Sequence, residues 1–204
     1  MQAERSPTTL RELAGLGTEP PPLEDSILVV IDSQMTYLAG GDLPVDGIAA
    51  ALDRIAELLD RARSLGTQII HVAHRGAAGS PFDPLGGGRF IADTEPTPGE
   101  HVVDKTLPNA FAGTDLLELI TAGEARPIVL CGFMTHMCVS STARAALDLG
   151  VASTVVSDAT ASRDLRAADG ISVVPAAAVH TASLAALADR FSVVATTREL
   201  VDHR

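Results

Sequence analysis

Three residues able to do hydrolytic chemistry stand where strands are expected to end and helices to begin: Asp32, Lys105 and Cys138. A carboxylate beside a thiol can take the thiol proton and later return it to a leaving amine. A lysine beside both can hold the carboxylate in place and favour a thiolate through its charge. The thiolate can then attack a carbonyl carbon and form an acyl-enzyme that water resolves. Backbone N–H groups in the turn could bind the oxyanion, a contribution of about 3–4 kcal/mol per donor. Each residue also has an ordinary reading. Most free cysteines are small buried hydrophobes, an aspartate ending a strand is often a turn or cap residue, and a lone lysine is usually on the surface.

The stretch that must position the cysteine is Pro127 to Gly150, PIVLCGFMTHMCVSSTARAALDLG. Pro127 to Cys131 is a short apolar run of the kind that forms a buried parallel strand. Gly132 breaks the run, Thr135 offers a hydroxyl N-cap, and Met137, Val139, Ala143, Ala146 and Leu147 recur at helical spacing until Gly150. Read as strand–turn–helix, the stretch puts Cys138 in the first helical turn. Unpaired N–H groups and the positive end of the helix dipole favour a thiolate there.

The other elements follow from periodicity. Ser26 to Ile31 is an apolar, central strand with Asp32 at its end, where ligands sit in an open parallel sheet. Ile48 to Leu65 is the clearest amphipathic helix, stopped by Gly66, and Gln68 to His74 is the next strand. That order implies a parallel pair joined by a right-handed crossover. Residues 75–99 form a long Gly/Pro-rich loop, expected to cover the site. His101 to Asp104 is a short edge strand, Thr114 caps a helix to about Thr121, and Val151 to Ser157 is a further buried strand. Residues 175–190 form a helix with Pro175 near its first turn, and Phe191 to Thr196 closes the sheet. The expected fold is a three-layer α/β/α sandwich with a mostly parallel, Rossmann-like sheet. Residues 1–25 are read as an arm and 26–204 as a single domain.

Composition narrows the function. A chain of 204 residues with 46% hydrophobic content buries a proper core. A net charge of −11 argues against a general nucleic-acid or anionic-membrane binder. No apolar run reaches the roughly 20 residues of a membrane span, and the N-terminus lacks the apolar centre of a secretory signal. Cys131 and Cys138 do not form a natural disulfide framework, so a reducing cytoplasm is expected. The first strand is followed by DSQMT where a dinucleotide fold needs G-x-G-x-x-G, which disfavours a nucleotide-binding protein.

Five motifs then occur in order: VVIDSQMTY, KTLPNAF, CGFMTHMCVSSTARAALDLG, SDATAS and HTASLAAL. Together, from about Ser26 onward, the chain resembles the isochorismatase-like cysteine hydrolase superfamily, which includes nicotinamidase, N-carbamoylsarcosine amidohydrolase, streptothricin hydrolase and isochorismatase. The resemblance implies a catalytic triad of Asp32, Lys105 and Cys138. It also implies a cis peptide between Phe133 and Met134, an oxyanion hole from the amides of Met134 and Cys138, and an oligomer, dimer or tetramer. Gln34, Tyr37, His74, Phe111 and Phe133 map to its substrate pocket. Metal-dependent nicotinamidases carry an Asp-x-His motif after the second strand, whereas this chain has His71-Val72-Ala73-His74. Three apart on a strand, His71 and His74 point to opposite faces and cannot share a metal. His136 is turned away from the nucleophile as a wall or surface residue. The expectation is a cofactor-free hydrolase that cleaves a C–N bond of a small amide, carbamoyl or cyclic amide. The alternatives are a vinyl-ether hydrolase and a catalytically silent subunit.

Overall fold

The computed structural model describes residues 7–202. Its centre is β1 (Ile27–Ile31), ILVVI, in which every residue is buried. A strand apolar at every position must be covered on both faces, and its neighbours supply the cover. The chain runs from β1 through α2 (Ile48–Leu65) to β2 (Gln68–His74) and on to β3 (His101–Lys105). It then passes through α3 (Leu116–Thr121) and returns to the other side of β1 as β4 (Ile128–Phe133). After α4 (Ser140–Asp148) come β5 (Ser153–Ala161), α5 (Ala176–Arg190) and β8 (Val193–Ala195). The sheet order is β3-β2-β1-β4-β5-β8, with every pair parallel. The direction of winding reverses between β1 and β4, so the ligand crevice of such a sheet falls between their C-terminal ends.

Alternation along β1 builds two cores. Leu28 and Val30 pack with Ile55, Leu58 and Leu59 of α2 and with Val129 and Cys131 of β4. Ile27, Val29 and Ile31 pack on the opposite face with Leu116 and Ile120 of α3, Ala143 of α4 and Leu187 of α5. Full burial of each such aliphatic side chain contributes about 1.5–3 kcal/mol. Among the described residues no helix is long and apolar enough to cross a membrane.

Several expectations are corrected. Gly132 does not end its strand, which continues to Phe133. Its φ is +106°, and a Cβ there would lie 2.0 Å from the Ile31 carbonyl oxygen, so glycine allows β4 to pass β1 at this point. β5 runs on through Asp158, Ala159 and Thr160 to Ala161, resuming its pairing with β4 after an irregularity in register between Leu130 and Gly132. A small antiparallel hairpin, β6 (Leu165–Arg166) and β7 (Val173–Val174), and a last helix, α6 (Thr197–Val201), were not foreseen. Of the arm, residues 1–6 lie outside the described residues. Helix α1 (Leu10–Leu13) carries a Thr9/Glu12 capping box, and its Leu10 amide donates to Asp189 of α5 at 3.1 Å. Leu23 closes the arm in the core, fully buried.

Candidate active site

The site forms where three parallel strands end. Asp32 follows β1 in a left-handed backbone conformation, φ +48°. Its amide still donates to the Val72 carbonyl at 2.9 Å. The carboxylate therefore leaves a rigid strand end, in a conformation that aspartate tolerates better than most residues. Lys105 is the last residue of β3, paired in register with His74 of β2. Its side chain reaches back across β2, bringing Nζ to 2.7 Å from Asp32 Oδ2, and both side chains are sealed from solvent. From the same Nζ the Cys138 Sγ lies 3.4 Å away. Asp32, Lys105 and Cys138 thus meet at one cation, with Cys138 only 4% exposed.

The turn that carries Cys138 is not the helical first turn expected from spacing. The Phe133–Met134 peptide is cis. Thr135–Val139 then forms a single wide π-turn that feeds α4. Met137 N and Val139 N both donate to the Met134 carbonyl, at 3.0 and 3.3 Å. Thr135 does not cap the helix, because its hydroxyl is engaged by His180 of α5 (Oγ1 to Nδ1, 2.9 Å). The wider turn presents Cys138 with its side chain inward, in the core beside Val139 and Ala143.

Burial governs the electrostatics. It pushes the Asp32 carboxyl up, against the opposing pull of Lys105. Burial, and then the Asp32 charge, push the Cys138 thiol up to about 12, with Lys105 opposing. Burial and the Asp32 anion thus favour the thiol, while Lys105 pulls toward the thiolate. Neither Asp32 oxygen has a well-directed hydrogen bond, which leaves the carboxylate held by charge and within reach of the thiol. With Lys105 cationic, a single negative charge shared by Asp32 and Cys138 keeps the pocket neutral. Moving the proton from sulfur to carboxylate preserves that neutrality, so it avoids the large cost of an unbalanced buried charge.

The other residues named from sequence divide into groups. Tyr37 is buried, with its ring 5.9 Å from both Phe82 and Phe133. Burial and the nearby Asp32 and Cys138 raise its phenol. Phe133 is fully buried in the same aromatic cluster. Gln34 is fully buried and does not offer its amide to a ligand. Its Nε2 donates to the carbonyls of His74 (3.0 Å) and Gly88 (2.6 Å), and its Oε1 accepts from the His74 amide (3.0 Å). Phe111 packs, half-buried, against the core face that holds Cys138. His136 turns to Ser162 (Nδ1 to Oγ, 3.1 Å). His71 and His74 part company as expected. His71 pairs with Glu100 at 2.8 Å, whereas the His74 ring reaches Lys105.

The long loop does more than cover. Its segment 86–91 runs antiparallel to 33–37, with Met35 N donating to Arg89 O, Thr36 N to Gly87 O and Ile91 N to Ser33 O, at 2.8–3.0 Å. This lacing brings Phe82 against the His74 ring, with centroids 4.4 Å apart. No sequence signal marks it, because main-chain atoms make the bonds.

Comparison with known proteins adds a separate line of support. The Isochorismatase domain matches residues 26–199. A secreted isochorismatase effector from Verticillium dahliae is 33% identical over 195 residues, covering 95% of this chain and 99% of that protein. A streptothricin hydrolase from Streptomyces noursei is 39% identical over 171 residues, or 82% of this chain, and the match spans only 61% of that longer protein. The crystal structure of an isochorismatase from Pseudomonas putida KT2440 aligns with a TM-score of 0.90 at 44% identity, over 96% of this chain and all of that one.

Proposed function

The chain belongs to the isochorismatase family of hydrolases, and from that premise we propose that it cleaves a C–N bond of a small amide, carbamoyl or cyclic amide through a Cys138 thioester. The observation that carries this reading is the single buried ammonium of Lys105, placed 2.7 Å from a carboxylate and 3.4 Å from a thiol. A vinyl ether offers no acyl carbon for that thiol to capture.

The proposed cycle balances within the three residues. The Cys138 proton passes to Asp32 while Sγ bonds to the substrate carbonyl carbon. The carbonyl oxygen becomes an oxyanion, which the amides of Met134 and Cys138 receive. As the C–N bond breaks, the nitrogen takes the proton from Asp32 and leaves as an amine, or stays tethered if the substrate was cyclic. Water then gives a proton to Asp32 and adds to the thioester. Cleavage of the C–S bond returns that proton to sulfur and leaves a carboxylic acid. Lys105 stays charged throughout and steadies whichever partner holds the negative charge.

The test is a panel of small amides, carbamoyl compounds and lactams, assayed with the unmodified protein and with Cys138→Ala, alongside intact-mass measurement during turnover. The expected result is hydrolysis with an acyl adduct on Cys138, both lost in the variant. Hydrolysis that survives Cys138→Ala overturns the proposal.

A further inference from the structure

We infer that His74 is a positioning residue that holds Lys105 in register with Asp32 and Cys138. The inference rests on the cysteine-hydrolase reading above and assigns this ring a task inside the machinery instead of a place in the substrate wall.

An ammonium has three N–H bonds and accepts nothing. Three acceptors surround Lys105 Nζ: Asp32 Oδ2 at 2.7 Å, His74 Nδ1 at 3.2 Å and Cys138 Sγ at 3.4 Å. Asp32 holds the ammonium by charge, while His74 and Cys138 supply its two directed hydrogen bonds, so with His74 in place the ammonium cannot rotate without breaking a bond inside a sealed site. Without it, one donor is left unpaired in a place closed to water, and the flexible four-carbon stem is free to turn toward another partner.

The ring is itself fixed from three directions. Gln34 takes both main-chain polar groups of His74, donating to its carbonyl and accepting from its amide at 3.0 Å each. Phe82 of the long loop lies against the ring at 4.4 Å. Lys105 fixes the inner edge. For Nδ1 to accept from an ammonium it must carry no proton, so the ring is the neutral tautomer with its proton on Nε2. The charged groups acting on the ring are Lys105 from β3 and Asp32 after β1, while Cys138 shares the Lys105 ammonium. Burial, and then the charge of Lys105, hold the ring in this neutral form, with Asp32 opposing. A protonated ring would set an N–H against the ammonium and turn Lys105 away from sulfur.

The test needs no substrate. Iodoacetamide alkylation of Cys138 is followed by mass spectrometry near neutral pH in unmodified protein, His74→Leu and His74→Asn. Thermal melts check that each variant folds. Cys131, fully buried and with its thiol raised by burial, stays silent. His74→Leu removes the acceptor, and the expected rate falls about 10- to 100-fold, the scale of a misplaced reacting group. His74→Asn keeps an acceptor oxygen at similar reach, and most of the rate returns. Equal rates in all three proteins, or an Asn variant as slow as the Leu variant, overturn the inference. If His74→Leu does not fold, nitrogen NMR of the unmodified protein reads the tautomer directly, and a proton found on Nδ1 overturns it equally. Failure of the nucleophile reading shows instead as hydrolysis that persists in Cys138→Ala, whatever the His74 variants do.

Discussion

Lys105 Nζ lies 2.7 Å from Asp32 Oδ2, and both side chains are wholly excluded from solvent. An ion pair in such a place adds little net stability while intact, yet removing one member strands the other charge. Lys105→Met is therefore expected to destabilise the fold by about 3–5 kcal/mol. Asp32→Asn combined with Lys105→Met is expected to recover part of that loss, since no charge remains buried. Urea denaturation of the single and double variants measures both. An additive double variant would show that the two residues do not act as a pair.

Asp32→Asn should separate acidity from activity. The Asp32 charge is the second cause, after burial, of the raised Cys138 thiol. Removing that anion leaves Lys105 as the charge nearest the sulfur, so the thiol midpoint is expected to fall below its present value of about 12. Under the proposed cycle, turnover is expected to drop by about 100- to 10,000-fold, because the amide put in place of the carboxylate could not take the thiol proton. Ultraviolet thiolate absorbance against pH gives the first quantity and steady-state assay the second. A thiol that becomes less acidic in the variant would contradict the arrangement.

Stability against pH is expected to peak between the histidine and thiol ranges. His71, His74, His136 and His180 are all lowered, chiefly by burial. The unfolded chain binds their protons first as pH falls below about 6.5, so each costs stability on acidification. Glu100 adds to this at lower pH. Burial raises it, but bonds from Arg63, Thr97 and His71 outweigh that and bring it to about 2, so its contribution is lost as pH falls from about 4.5 toward 2. Asp32, whose carboxyl is raised by burial, works in the opposite sense. At the other end, the raised thiols of Cys131 and Cys138 keep their protons when the unfolded chain releases them above about 8.5, so stability falls again. Thermal melts across this span should trace a dome, and a monotonic profile would contradict it.

Gly132→Ala should do far more harm than Gly150→Ala. Both glycines have positive φ, +106° and +74°. A methyl at Gly132 would meet the Ile31 carbonyl at 2.0 Å, whereas one at Gly150 meets nothing within 4 Å. The Gly150 variant is expected to lose about 1–2 kcal/mol from backbone strain alone. The Gly132 variant carries that strain together with separation of β1 from β4, and is expected to lose more, with a larger drop in Tm. Equal melting shifts would contradict the close approach.

Much of this was legible in the sequence, and the reasons differ by element. SILVVI is apolar after its first residue, the Ile, Val and Ala of QIIHVAH mark a strand despite its Gln and two His, and the apolar stripe of Ile48–Leu65 locates α2. The end of β5 escaped because Ser157-Asp158-Ala159-Thr160 is small and polar, although β4 pairs with it there. β6 and β7, of two residues each, are too short for any period to show. The π-turn is hidden in the sequence because Thr135 has the form of a cap, whereas His180, forty-five positions away, holds its hydroxyl. Gln34 maps to a pocket position only through the family resemblance, and its own amide is engaged by main chain of His74 and Gly88, bonds that no local pattern shows. Local patterns report local geometry. Pairings between distant segments report themselves only when folded.

The antiparallel lacing of 33–37 to 86–91 ties the long loop to the strand end that carries Asp32. Because the fastening runs through backbone atoms and the Gln34 amide, the side chains of Pro84, Leu85 and Arg89 have no part in it. Substitution at those three positions leaves the fastening intact, and Asp32, fixed to its strand end, keeps its distance from Lys105. A transplant of residues 83–89 from a relative should accordingly carry over substrate preference and leave Cys138 reactivity toward iodoacetamide unchanged. A fastening made of main chain lets loop side chains change without moving the strand ends beneath them.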